Sequence, residues 1–479
     1  MIERLSWAPT ARTWGIAGAL ALCVIIGLAS GIEPALGVAA AFGIVFAAAT
    51  VADVAVGVVL FTLVSFLDIV SSGGASLTKL AGLLLFGSWY ATTLSRHRSR
   101  SASLSRAPPL LTISCVALLV WSAFSIIWAY GQGDAVTSTT RFALNMLLIP
   151  IVLAATRRRE HLLWMMAAFL GGAVISSIVG FVGAGTSVSG RLSGSGLDPN
   201  ELAAVLVAAI PMAMALTRAL RARPEASLAC AIGGLICLAG AIDTLSRGGL
   251  VALGAMLVAG VVIGGRWRGI AVVLLAITTF GTLTYYLVLA PQAARQRVEM
   301  ADTNGRTDLW AVGRRMVDAH PVRGVGSGNF QVAEIHYLQQ PGTITRADLI
   351  VDDPHVAHDI YLELAADLGL PGFVLLATIM LTCLWAALRA ARNFSRRGDT
   401  EMELIARSLA LSLLAFMVAD VFLSGEFSKQ LWLVFAFCAA TLALSRTALS
   451  AVPTRTASAP GTGGAALPAI AGNGHGGAG

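Results

Sequence analysis

The sequence predicts an all-α polytopic membrane protein with 12 to 14 crossing helices and one long, partly helical loop. Three observations carry this expectation. Apolar residues make up 56% of the 479 residues and charged residues only 12%, against roughly 25% charged in soluble domains. Apolar runs of the length that crosses a bilayer, about 20 residues, recur along the chain. Short arginine clusters punctuate every second interval between those runs, which is the pattern of membrane topology. A soluble enzyme is excluded, because so few charges cannot cover a water-exposed surface. A disordered chain is excluded by the hydrophobicity. The net charge of +7 sits in those arginine clusters and does not point to nucleic acid.

The elements follow in chain order. The run 14–30 comes after a basic start, as in a signal peptide, but further spans follow at once, so it reads as a first span. Runs 33–49 and 51–69 meet at Thr50 and Val51 with no polar loop; they are two spans or one broken span. Further spans are expected at 77–95, 109–129, 138–155, 161–183, 199–217, 227–244, 249–264 and 269–290. A long loop, 291–366, separates these from spans at 367–390, 403–424 and 429–446. The domains expected are thus an N-terminal bundle (1–290), a catalytic loop (291–366), C-terminal helices (367–446) and a disordered cytoplasmic tail (447–479), the last from its Ala/Gly/Pro/Thr-rich composition. Clusters at Arg96–Arg106, Arg157–Arg159, Arg218–Arg223, Arg266–Arg268 and Arg392–Arg397 mark the cytoplasmic side. With 14 spans both termini fall there, and loop 291–366 faces outward from the cytoplasmic (inner) membrane. The six cysteines lie inside apolar runs, with no CxxC spacing, and read as small core residues.

The outward side gathers the residues that could do chemistry. Arg191 sits in a Ser/Gly-rich stretch, and Asp198-Pro199-Asn200 opens the next span as a cap and a first-turn proline. Arg247, in Ser246-Arg247-Gly248-Gly249, interrupts nearly continuous membrane sequence. A charge there costs a few kcal/mol, so it needs a counter-charge, either Asp243 or a bound phosphate. In the long loop, Arg306 to Ala319 has helical spacing, with Leu309, Trp310, Val312, Met316 and Val317 as its apolar positions. The stretch Gly324-Val325-Gly326-Ser327-Gly328-Asn329 is either a phosphate cradle or a turn packed under the loop, and the missing strand-then-helix context favours the turn. His358 lies near the start of a helical pattern that ends at Gly369. A positive helix end keeps such a ring neutral, fit to act as a general base or as a cap. His355 and His358, three apart, are a weak metal pair, since no HExxH motif accompanies them.

Taken in order, these motifs resemble the O-antigen ligase and O-antigen polymerase family of bacterial membrane glycosyltransferases. The matching residues are Arg191 with Asp198-Pro199-Asn200, Ser246-Arg247-Gly248-Gly249, Arg306 with Trp310, His320-Pro321 through Asn329-Phe330, and His358 with Tyr361, Leu362 and Gly369. The chain has His358-Asp359 where many relatives have His-Asn. The resemblance implies a C-type glycosyltransferase fold. It also implies inverting transfer of a glycan from a polyprenyl-diphosphate (undecaprenyl-type) carrier to an acceptor hydroxyl, with no cofactor, metal or nucleotide sugar. The partners implied are that donor, a lipid- or glycan-linked acceptor and membrane lipids. By position, His358, Arg306 and Arg247 are the expected catalytic set, and Arg191, Arg247, Arg306, Asn200, Asn329 and Tyr361 the expected substrate contacts. A repeat-unit polymerase would share this chemistry and differ in acceptor. A transporter would instead place ionisable residues midway along several spans; Asp53, Asp68 and Asp420 are the candidates for that.

Overall fold

The computed structural model describes residues 34–66, 77–95, 106–183, 191–194, 197–289, 305–338, 344 and 355–450. The expected span 14–30, Asp68, most of the 96–106 cluster and the tail from 451 lie outside the described residues. Within them the chain is helical, with a lone bridge between Gly194 and Leu197 and no named strand.

Helix α1 (Pro34–Ala52) and α2 (Val54–Val64) meet at Asp53, whose carboxylate accepts from Ala55 N at 2.9 Å and caps α2. At about 1.5 Å per residue α2 is too short to cross alone, so the two make one broken element. This also gives Asp53 a capping role. Helices α3 (Leu77–Ser95) and α4 (Pro109–Ser125) follow. Helix α5 (Gln132–Met146) continues through Leu147 into α6 (Leu148–Ala155), forming one 24-residue span. Next come α7 (Arg159–Phe181), α8 (Pro199–Ala219), α9 (Pro224–Asp243), α10 (Arg247–Ile263) and α11 (Arg268–Thr284). Beyond the membrane body lie α12 (Arg306–Ala319), at the bounds its spacing predicts, and α13 (Phe330–Leu338). The last described helices are α14 (Ile360–Ser395), α15 (Thr400–Ala419) and α16 (Lys429–Ser450). Helix α16 continues past 447, where the sequence suggested that a tail begins. Among the described residues, eight helical stretches are long and apolar enough to cross a membrane, and four shorter apolar helices accompany them. The protein is an all-α, multi-pass membrane protein.

Helices α8, α15 and α16 form the centre, with most of their apolar windows buried, whereas none of the α11 window is. Ser412 Oγ donates to Ala208 O at 2.7 Å, joining α15 to α8. Gln430 Nε2 donates to Ser65 O at 2.8 Å, joining α16 to the end of α2.

Two ends of the bundle are chemically distinct. Arg159 and Arg221 approach Glu401 at 3.9 and 3.5 Å, and Arg266 pairs with Glu403 at 3.0 Å. Three arginine clusters therefore share one face with the start of α15. The far end of α15, at Asp420, lies about 30 Å away by helix rise. At that opposite end sit the N-termini of α8, α10 and α14.

Helix α14 starts inside the segment assigned to the long loop and breaks at Gly369 (φ 69°, ψ −175°). The segment 321–329 clasps the break: Leu370 N donates to Pro321 O at 2.8 Å, Gly326 N to Asp367 O at 2.8 Å, and Val325 N to Ala366 O at 2.9 Å. A Cβ on Gly324 (φ 68°) would stand 2.2 Å from Asp367 O, so only glycine permits this approach. The glycine-rich stretch is thus the turn under the loop and not a phosphate cradle.

Candidate active site

Four helix N-termini meet at this end, each begun by a specific cap. Asp198 accepts from Asn200 N and Glu201 N at 2.6 and 3.2 Å and opens α8. Ser246 Oγ accepts from Gly249 N at 3.2 Å and opens α10. Asp359 accepts from Tyr361 N and Leu362 N at 3.0 and 3.2 Å and opens α14. Gly305, at φ 76°, turns the chain into α12. Two other residues adopt the left-handed region without being glycine, Leu245 and His358, both at φ 52°. Such conformations cost of order 1–3 kcal/mol and cluster at functional sites.

Arg247 is the first helical residue of α10, and Arg306 is the first of α12. A cation at a helix N-terminus opposes the macrodipole by about 0.3–1 kcal/mol, so neither helix benefits from its arginine. An anion placed between them would reverse that cost. The guanidinium of Arg306 is held below its ordinary value by burial first and then by the charge of Arg247, with Asp198 acting the other way. The same field reaches His358. Burial, then the Arg306 charge, pushes its ring down to about 4, against the opposing pull of Asp198. The imidazole is therefore neutral at pH 7, and its buried Nδ1 has no hydrogen-bond partner among the described residues. Arg247, Arg306, His358 and Asp198 thus lie within electrostatic reach of one another.

The surrounding contacts fix this set. Trp310, one turn after Arg306, donates from Nε1 to Ala357 O at 3.0 Å, and Glu363 Oε2 accepts from Ala357 N at 3.1 Å. Both hold the residue before His358. Arg191 donates from Nε to Thr244 O and from Nη2 to Asn200 Oδ1, each at 2.9 Å, and Ser246 Oγ donates to the same Oδ1 at 2.9 Å. Arg191 and Asn200 therefore brace the turn that presents Arg247.

Two expected substrate contacts have their polar atoms engaged within the fold. Asn329 is fully buried. Its Oδ1 accepts from Gly131 N, and its Nδ2 donates to Gly131 O and Ser327 O at 3.2 and 3.0 Å, so both ends of the amide serve the fold. Tyr361 donates its hydroxyl to Met417 O at 2.8 Å and packs edge-on against Phe373, binding α14 to α15. No three metal-ligating side chains come together among the described residues; the backbone N–H of His355 donates to Glu334 Oε1 at 3.1 Å. The sequence reading also missed two features: the charge of Asp198 within the cluster, beyond its capping role, and a cavity of about 480 Å³ beside it, lined in part by Glu201, Glu363, Asp420 and Glu426.

The geometry defines a class: a multi-pass membrane protein in which helix N-termini, two arginines and a neutral imidazole gather at one end of the bundle. Residues 232–377 match the family model of O-antigen ligase. The matched segment contains Arg247, Arg306 and His358, while Arg191, Asn200, Asp420 and Glu426 fall outside it. No curated protein matches the chain.

Proposed function

We propose that the protein transfers a glycan from a polyprenyl-diphosphate carrier to an acceptor hydroxyl, at the outer face of the cytoplasmic membrane, by a metal-independent, inverting displacement. One observation carries this reading. Arg247 and Arg306 begin two helices whose dipoles they oppose, beside a neutral His358, which is an arrangement suited to a bound diphosphate.

The donor's anomeric carbon already bears its leaving group. The acceptor oxygen forms a bond to that carbon, and the bond to the diphosphate oxygen breaks with its electron pair staying on the diphosphate. Arginine forks match phosphate oxygens and keep their charge in a partly apolar setting. Fixed positive charge aimed at growing negative charge is often the largest catalytic contribution. The hydroxyl proton goes to His358. In the free site the ring is a poor base, because Arg306 and burial depress it. A docked diphosphate offsets the arginine field and raises the ring's proton affinity, so basicity rises when the donor is in place. Arg191 and Asn200 act as positioning residues for Arg247. The arginine clusters on the opposite face mark the cytoplasmic side, and the gathering of the site at one end favours surface chemistry over transport.

The test is purified protein in lipid nanodiscs with a synthetic polyprenyl-diphosphate oligosaccharide and candidate acceptors, with products read by mass spectrometry. Transfer in the presence of EDTA, abolished by His358→Ala, supports the reading; wild-type transfer by that variant would remove the site assignment. A repeat-unit polymerase of the same family would show a second carrier-linked glycan as the acceptor.

A further inference from the structure

We infer that the connection Phe422-Leu423-Ser424, which follows α15, is a bracket that sets the separation of Arg247 from His358, with Phe422 and Ser424 as positioning residues. The inference rests on the transferase reading. It adds to that same site residues that lie outside the 232–377 match.

One arm of the bracket lies against the arginine. Gly248 follows Arg247 as the second residue of α10 and is buried. A Cβ on Gly248 would stand 2.8 Å from Phe422 Cβ and 3.1 Å from its Cγ and Cδ2, inside the roughly 3.5–4.0 Å of a favourable carbon contact. Phe422 therefore rests on bare backbone one residue after Arg247. On Gly249 a Cβ would stand 2.6 Å from Ala203 Cβ of α8. Both glycines of the Ser246-Arg247-Gly248-Gly249 motif thus admit protein neighbours.

The other arm grips the chain on both sides of His358. Leu423 is extended (φ −150°, ψ 143°), and its carbonyl accepts from Ile360 N at 3.0 Å. Ser424 Oγ donates to Glu363 Oε2, the same oxygen that accepts from Ala357 N at 3.1 Å. His358 between them has φ 52°, a conformation that a non-glycine residue keeps only where its surroundings over-determine it. Glu363 is 5% exposed, so a donor lost from Ser424 is not readily replaced by water. The bracket has its own footing further along. Trp432 Nε1 donates to Glu426 O at 2.8 Å, and Asn145 Nδ2 of α5 donates to Phe427 O at 3.1 Å.

The separation matters because both groups act in one displacement. His358 takes the hydroxyl proton while charge grows on the diphosphate beside Arg247. The two residues belong to different elements, and Phe422-Leu423-Ser424 touches both. A misplacement of about 1 Å can lower a rate by about 10²-fold.

The experiment uses the full chain in nanodiscs with Ser424→Ala, Ser424→Thr and Gly248→Ala. It reads kcat and donor KM for transfer, and amide hydrogen exchange by mass spectrometry over residues 355–361, with 159–170 at the opposite end as the folding control. Ser424→Ala lowers kcat about tenfold and leaves donor KM within about twofold. Ser424→Thr, which keeps the hydroxyl, recovers most of the loss. Both Ser424→Ala and Gly248→Ala speed exchange over 355–361 by about fivefold or more, and the control is unchanged. Unaltered exchange over 355–361 in Gly248→Ala overturns the bracket, because a glycine that serves only local packing at α10 would not reach His358. An equal rise in the control, unchanged kcat in Ser424→Ala, or a loss carried by donor KM also overturns it. Absence of transfer by wild type would instead remove the transferase reading, and the exchange over 355–361 reads the bracket separately from that outcome.

Discussion

An arginine that opens a helix stands where the backbone already presents positive charge, and positions 247 and 306 both do so. We expect Arg247→Ala and Arg306→Ala each to lower kcat/KM for transfer by about 10²–10³, the scale of removing one donor to developing negative charge. Arg306→Lys recovers only part of this, because the planar fork is lost. Single-turnover transfer assays with equal amounts of inserted protein read both effects; a loss below threefold in both alanine variants would contradict the role. His358 makes a pH prediction whose sign is fixed by its environment. Burial and the Arg306 charge lower the ring from 6.5 to about 4, so it stays neutral as pH falls from 7 to about 5. The rate of donor-free steps and the ring's NMR titration should show no inflection near 6.5. Arg306→Gln removes a depressing charge and moves the inflection upward. A wild-type inflection at the unperturbed value, unmoved by Arg306→Gln, would contradict the proximity of the two. These arginines and the histidine were legible in the sequence because each breaks a local rule, charge in apolar sequence or a polar residue at a helix start. The fold contacts of Asn329 and Tyr361 were not legible, because their partners, Gly131 and Met417, lie far away in sequence, and no local motif shows which polar groups the fold satisfies.

At the scale of elements, α12 and the 355–359 segment act together through Trp310. Trp310→Phe keeps the ring's bulk and removes the N–H that holds Ala357 O. One net hydrogen bond is worth about 1 kcal/mol, so kcat should fall roughly fivefold while the KM for donor is unchanged. A rise in donor KM with unchanged kcat would place Trp310 in binding instead. The loop's attachment depends on Gly324. Gly324→Ala forces a Cβ to within 2.2 Å of Asp367 O at φ 68°, so the clasp around the α14 break should open and limited proteolysis should cut within 305–338; wild-type resistance would show that the backbone yields cheaply. The helix over Arg306–Ala319 was visible from its apolar spacing, whose positions Leu309, Val312 and Met316 are buried. The helical pattern from near His358 to Gly369 was visible too; its continuation across the break at Gly369 into the following span was not.

For the whole molecule, composition alone indicated the class, because apolar runs and sparse charge leave no other solution for the backbone's hydrogen bonds than membrane helices. The expected orientation rests on arginines, three clusters of which the structure gathers on one face through Glu401 and Glu403. The cavity was illegible, since its carboxylates at 134, 201, 363, 420 and 426 come from separate helices and loops that only packing brings together. The central claim is that a lipid diphosphate docks at the end of the bundle bearing Arg247, Arg306 and His358. Photo-crosslinking of the intact protein in nanodiscs with a diazirine-bearing polyprenyl diphosphate, mapped by mass spectrometry, tests it most directly. The account predicts adducts on the peptides around residues 245–250, 305–310 and 355–361, competed by inorganic diphosphate. Adducts confined to the opposite face, around Arg157–Arg159 and Arg221–Arg223, would contradict it.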